Sequence, residues 1–215
     1  MCSSDLGDLG SPANHLPVSM KWDYGDAMTK RTFLAGKLLI AMPSIQGDDF
    51  ERSVVFLCAH SEDGAMGLVI NKPAPRMVFA DLAEKLNIDH TSEEILQLPV
   101  MLGGPVKQFQ GFVLHSGDYS TSETLKVSGD FALTATTDIL VAISKRKGPA
   151  RKILALGYSG WSPGQLENEI MRNGWLHCDA DAELVFGTLL EKLHDAALAK
   201  LGVSAAMLSS EAGRA

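Results

Sequence analysis

From Phe33 onward two hydrophobic periods share the chain, one of two residues and one of three to four, and they change over at corners marked by glycine and proline. GKLLIAM, residues 36–42, predicts a strand that stops at Pro43. SVVFLCAH (53–60) and AMGLVIN (65–71) flank the short polar loop SEDG, which ends in Gly64, so they predict a hairpin. Both parities of SVVFLCAH are apolar, which implies burial on both faces and a central position in the sheet. FADLAEKLN carries Phe79, Leu82, Ala83 and Leu86 at helical spacing, and SEEILQL predicts a further short helix. VMLGGPV and QGFVLHS are expected to pair around Gly103, Gly104 and Pro105, and ETLKVSG with FALTA to form another hairpin. TDILVAISKRK predicts a helix with Thr137 as cap and three basic residues at its negative end. KILALGY predicts a strand that runs into ALGYSGWSPGQLENEI, a bend and a helix; WLHC, ELVF and TLLEKLHDAALAKL close the pattern. The count, roughly seven or eight strands and four or five helices with hairpins in one half, predicts an α+β domain on a mixed sheet rather than a doubly wound parallel one.

Before Phe33 neither period holds. The scattered Gly, Pro, Ser and Asp of residues 1–32 cannot bury much apolar surface, so this stretch is expected to be a mobile extension and 33–215 a single domain. A solvated tail is the first reading and docking of Trp22 and Tyr24 on the domain surface the second, and Met20 and Met28 offer alternative translation starts to Met1. Asp5, Asp8, Pro12 and Pro17 interrupt any signal-like run, and no apolar stretch reaches the roughly 18 residues of a membrane span.

Composition narrows the function classes. The 215 residues are 46% hydrophobic and 21% charged, ordinary for a globular chain, and the net charge of -7 opposes a phosphate backbone unless a basic patch intervenes. Cys2, Cys58 and Cys178 are odd in number and without pairing spacing, which points to a reducing compartment and a cytoplasmic protein.

Four stretches carry candidate chemistry. Gly157-Tyr158-Ser159-Gly160-Trp161 approaches a nucleophile elbow, but Trp161 stands where the second glycine is needed, and only Asp179 or Asp181 with His194 follow in the hydrolase order. Ser162, Pro163 and Gln165 match the N-cap, N1 and N3 positions of a capping box, so a structural turn is the first reading and an anion seat at the helix start the second. Cys58 and His60, two apart on one strand, would share a face, so that the histidine could activate the thiol; the plainer reading is a buried cysteine and a strand-end histidine. A metal would need a third ligand, for which His115 is the obvious candidate, and no metal or cofactor is expected. KRKGPARK gathers Lys145, Arg146, Lys147, Arg151 and Lys152, charges that a helix end and a turn explain without nucleic acid.

The blocks LLIAMP, FERSVVFLCAH, GAMGLVINKP, PVMLGGPV, GFVLHS, ALGYSGWSPGQLENEI, NGWL and the closing EAGRA, in this order, resemble the YqgE/AlgH family of bacterial proteins from Phe33 to the C-terminus. The resemblance implies a bifurcated, mostly antiparallel mixed sheet folded into a pseudo-barrel with flanking helices. It carries a transcriptional-regulator label and no established activity. The family pattern falls on Pro43, Phe50, Arg52, Ser53, Cys58, His60, Gly64, Gly67, Asn71, Lys72 and Pro73 in the first half. In the second it falls on Gly103, Gly104, Pro105, Gly111, His115, Gly157, Trp161, Gly164, Gln165, Glu167, Asn173 and Trp175. The chain departs from it at Leu193-His194, where the family commonly has Arg-Trp, and at Arg214, where it has histidine.

The expected function is a non-enzymatic regulatory module that binds a small ligand or a protein partner. Its candidate ligand-binding residues are Asn71, Lys72, Gly103, Gly104, His115, Ser159, Gly160, Trp161, Gln165 and Glu167, because glycine bends beside polar groups allow close approach. The alternatives are a transcriptional regulator acting directly or indirectly on DNA, with Lys145–Lys152 as the basic stretch a direct contact would use, and a thiol-dependent enzyme using Cys58 with His60.

Overall fold

The computed structural model describes residues 33–45, 47, 50–89 and 93–208. The expectations for residues 1–32, including Trp22 and Tyr24, and for Arg214 in the closing EAGRA lie outside the described residues.

The apolar run on both parities of β2 (Val54–Ser61) sets the architecture. With β1 (Lys37–Ala41) it sends alternate residues to opposite faces. Leu38, Ile40, Val54 and Phe56 enter one core with Leu68, Leu114, Leu193 and Leu198. Leu39, Val55 and Leu57 enter another with Trp161, Leu166 and Trp175. A fully buried Leu or Phe contributes about 1.5–3 kcal/mol, and a one-residue slip would exchange the two cores, so register is strongly specified.

β3 (Gly64–Val69) completes the expected hairpin. β4 (Pro73–Val78), α1 (Phe79–Lys85), α2 (Glu93–Leu96), β5 (Pro99–Leu102), β6 (Val106–Ser116), β7 (Thr124–Ser128), β8 (Phe131–Thr134) and α3 (Thr137–Ser144) follow. β9 (Lys152–Trp161), α4 (Gln165–Met171), β10 (Trp175–Asp179), α5 (Ala182–Gly187) and α6 (Leu193–Lys200) come last, with short 3-10 turns at Leu190–Lys192 and Ala205–Met207. The strands run β10-β1-β2-β3-β9-β6-β8-β7, with β4 and β5 on a branch, in an α+β fold whose sheet curls into a half-barrel.

The branch point is β9. Along one edge its Leu154, Ala155 and Leu156 pair with β5 in parallel, and its Ser159, Gly160 and Trp161 then pair with β3 in antiparallel sense. β6 takes the other edge. All other pairings are antiparallel among the described residues. Helices α5 and α6 cover the first core with Leu184, Val185, Leu193, Ala197 and Leu198, and α4 covers the second with Leu166. A third core, Phe79, Val100, Val113, Ile139, Ile143 and Leu154, lies under α1 and α3.

Three expectations change. VMLGGPV and QGFVLHS do not pair with each other, because β5 and β6 lie on opposite edges of β9. Helix α3 ends at Ser144, with Arg146 at φ 56, so the KRK triplet occupies the turn beyond it; its N-cap is Thr136 rather than Thr137. Helix α4 begins at Gln165 after Gly164, later than the capping pattern indicates. The glutamine half of that box is nonetheless present: Ser162 N donates to Gln165 Oε1 at 3.0 Å.

Candidate functional site

The glycines and the serine singled out in the sequence meet at the fork. Gly103 N donates to Leu156 O (2.8 Å), and Gly103 O accepts from Val69 N (2.9 Å), so this residue ties β3 to β9 where β5 ends. Ser159 Oγ donates to the same carbonyl at 3.1 Å and is 1% exposed. A hydroxyl spent inward on backbone has no route to a substrate, and the nucleophile-elbow reading falls. A Cβ on Gly103 would stand 2.3 Å from Gly157 O, and one on Gly104, at φ +149, 2.3 Å from the Tyr158 carbonyl carbon. The close approach that demands glycine here is to the chain's own strand. Gly160 pairs with Met66 and is exposed.

Trp161 and Gln165 meet on α4 at Glu169, a residue not among the sequence candidates. Glu169 Oε2 accepts from both buried indoles, Trp161 Nε1 at 2.9 Å and Trp175 Nε1 at 2.8 Å, while its Oε1 accepts from Gln165 Nε2 at 2.9 Å. The signal available was the i, i+4 spacing of Gln165 and Glu169 on a helix. Glu167 Oε1 lies 3.1 Å from His60 Nε2. Because His60 Nδ1 accepts from Leu34 N at 3.0 Å, Nε2 carries the proton and donates to Glu167. Phe33 meets the same ring edge-on at 5.5 Å.

Cys58 is not His60's neighbour on a shared face. A register shift between Leu57 and Ala59 breaks the alternation, so Cys58 stays in the core with Phe56 while His60 turns toward α4. Burial at 0% exposure pushes the thiol up well beyond the ordinary cysteine range, the opposite of activation. Among the described residues no three of His, Cys, Asp and Glu form a metal-holding group.

His115 is fully buried on β6. Its Nδ1 donates to Ser116 O (2.8 Å), leaving Nε2 to accept from the Thr134 hydroxyl (2.9 Å), which contacts Thr124 Oγ1 at 2.8 Å. This network fits the neutral ring, and burial lowers its pKa from 6.5. The unfolded chain therefore takes up a proton that the folded chain resists. Stability is expected to be full above about pH 6.5 and to fall as the pH drops toward the lower folded value, by up to about 1.4 kcal/mol per pH unit. Urea titrations across this window should show the slope in the parent and a flatter one in His115→Gln. Asp118, held low chiefly by the Ser116 hydroxyl, adds its loss only below its ordinary 3.8, a separate window.

The basic cluster is partly spent. Arg146 lies 4.0 Å from Glu94, Arg151 3.3 Å from Glu183, and Lys152 Nζ donates to Pro149 O at 2.8 Å.

Asn71 leads to a different place. Its Oδ1 accepts from Val54 N (2.8 Å) and its Nδ2 donates to Arg52 O (2.9 Å), so its polarity serves to pin the corner where Arg52 adopts φ 52. Lys72 anchors the next step through its carbonyl, which accepts from Leu102 N at 2.8 Å. Arg52 lines a cavity of about 430 Å³. Glu51 and His194 line it as well, and Ala41, Met42, Pro43, Ile45, Ala205 and Leu208 give it apolar walls. His194, on α6, is 5% exposed; its Nε2 donates to Ala41 O at 3.0 Å, so Nδ1 presents a lone pair. That atom has no hydrogen-bond partner among the described residues and stands 3.6 Å from Asp195 Oδ1. Arg52 Nη2 donates to the same oxygen at 2.9 Å and holds the Asp195 carboxyl below its usual range. No residue type or spacing in the sequence joins Arg52 to His194; folding β1 against α6 does. The departure at Leu193-His194 supplies both a core leucine and this imidazole.

A forked half-barrel sheet with a small polar-floored cavity on its flank is the class these observations define. The AlgH-like family model matches residues 38–206, and the chain belongs to that family. A UPF0301 protein of Rhodopseudomonas palustris strain HaA2 is 52% identical over 191 residues, covering 85% of this chain and 87% of that one. A UPF0301 protein of Ruegeria pomeroyi is 55% identical over 183 residues, covering 85% and 99%. The solution structure of the AlgH protein from Pseudomonas aeruginosa superposes with a TM-score of 0.71 at 38% identity, covering 88% of this chain and all of that one. None of the described helices is long and apolar enough to cross a membrane.

Proposed function

We propose that the chain is a non-catalytic, cytoplasmic binding module whose ligand seat is the cavity between Arg52 and His194. One observation carries this reading: His194, whose buried Nδ1 has no hydrogen-bond partner among the described residues, lines a concavity of ligand size. A buried acceptor left without a donor costs about 1–3 kcal/mol, and a ligand that supplies the donor recovers that energy. The candidate nucleophiles Ser159 and Cys58 support a role without chemistry, since both are buried and face the chain's own backbone or core. The unpaired cysteines Cys58 and Cys178 suit a reducing compartment. Contact with DNA would rest on Lys145–Lys152, where Arg146, Arg151 and Lys152 already have partners, so ligand binding is the reading put first, and regulation would follow from occupancy.

A ligand-observed NMR screen of small fragments against the full chain and Ala205→Trp tests it. Ala205 is exposed on the cavity wall, so a large side chain there can fill the space without entering a core. Fragments that bind the parent and are lost in the variant support the seat. A screen with no binders, or binders indifferent to the substitution, overturns it.

A further inference from the structure

Resting on that reading, we infer that the cavity takes a small organic amine in its ammonium form, carried on a compact apolar body. The polar floor selects the head group. With Nε2–H committed to Ala41 O, the Nδ1 left without a hydrogen-bond partner among the described residues is an acceptor, which a ligand meets with an N–H or O–H and cannot meet with a deprotonated oxyanion.

Charge selects among donors. Among the described residues Arg52 is the cation that lines the cavity, and Asp195 Oδ1 already sits 2.9 Å from its Nη2. Glu51 lines the space too, and no cation partners its carboxylate among the described residues. Among the described residues, the Glu51 and Asp195 carboxylates stand against the single Arg52 guanidinium, which leaves the surroundings of the His194 nitrogen net negative. An anionic head would find Arg52 donors that Asp195 leaves free, but would lie beside two carboxylates and face a lone pair at Nδ1, whereas an ammonium head donates to Nδ1 and balances the excess carboxylate. The chain's net charge of -7 favours the approach of cations in the same sense. Met42, Pro43, Ile45 and Leu208 offer no polar side chain to hold a second charged group, so they suit an aliphatic body.

Matched probes decide the question. The full-length protein, labelled with nitrogen-15, is titrated at neutral pH with n-hexylamine hydrochloride and with sodium hexanoate, recording imidazole nitrogens and backbone amides. Hexylammonium is expected to move the His194 Nδ1 resonance and the Met42 and Leu208 amides to saturation, with an affinity at least about tenfold above that of hexanoate. Glu51→Gln, a change at an exposed side chain, should weaken hexylammonium by about two- to fivefold and leave hexanoate equal or improved. Hexanoate binding as tightly as the amine, or amine shifts that bypass His194, overturns the inference. If neither probe binds while the fragment screen returns cavity ligands of another class, the amine assignment falls and the binding seat stands; if the screen is empty as well, both fall.

Discussion

Gly104→Ala is expected to destabilise the folded chain by about 3 kcal/mol or more, the largest loss of any single methyl addition at the fork. Two costs combine: a side chain forced to φ +149, about 1–3 kcal/mol, and overpacking of similar size. The atoms a Cβ would strike, the Tyr158 carbonyl group and Ser159 N, are backbone of β9 and cannot rotate away. They can yield only if the strand moves, and β9 is held by β3, β5 and β6 together. Gly111→Ala is the control, because nothing lies within 4 Å of its added carbon; it should be neutral or stabilise by about 0.4–1 kcal/mol. Urea midpoints measure both. Equal midpoints for Gly104→Ala and the parent would mean that the fork is looser than its interatomic distances require.

Glu169→Ala should cost about 3–5 kcal/mol, since two buried indole N–H groups lose one charged acceptor at a stroke and each such bond is worth about 1.5–3 kcal/mol. Glu169→Gln keeps an oxygen that both indoles can share and should cost markedly less. Thermal melts report the difference. Tryptophan fluorescence supplies an independent sign, because Trp161 and Trp175 are two of the three tryptophans and a loosened clamp admits water to both. A red shift in the alanine variant without one in the glutamine variant is the expected pair of results; identical spectra and melting points would show that the carboxylate only decorates the helix.

Burial on both faces of β2 followed directly from SVVFLCAH, since no half-buried strand would be apolar on both parities. β4 escaped notice because Pro73 and Pro75 deny it ladder donors, and it survives only as an edge whose two ends pair with β5. The bulge at Cys58 was invisible because one extra residue reverses every later side chain without altering composition. Pairing partners were the deeper loss: hydrophobic period tells which face of a strand is wet, not which strand lies beside it, so β5 and β6 were joined to each other instead of to β9. The candidate residues were marked for polarity or for glycine, and most of them satisfy neighbouring backbone or side-chain groups. Asn71 was the informative one, since its amide fixes the corner from which Arg52 reaches the cavity. His194 gave no local signal, because its isolated lone pair exists only once Ala41 has taken its proton.

The triple engagement of β9 also governs how the chain is made. β3 and β5 leave the ribosome long before the segment that will lie between them and β6, so until Lys152–Trp161 has been synthesised their facing edges have nothing to zip against. Nascent chains halted ahead of that segment should therefore be the protease-sensitive ones, and their commitment to structure should come abruptly, near the end of translation.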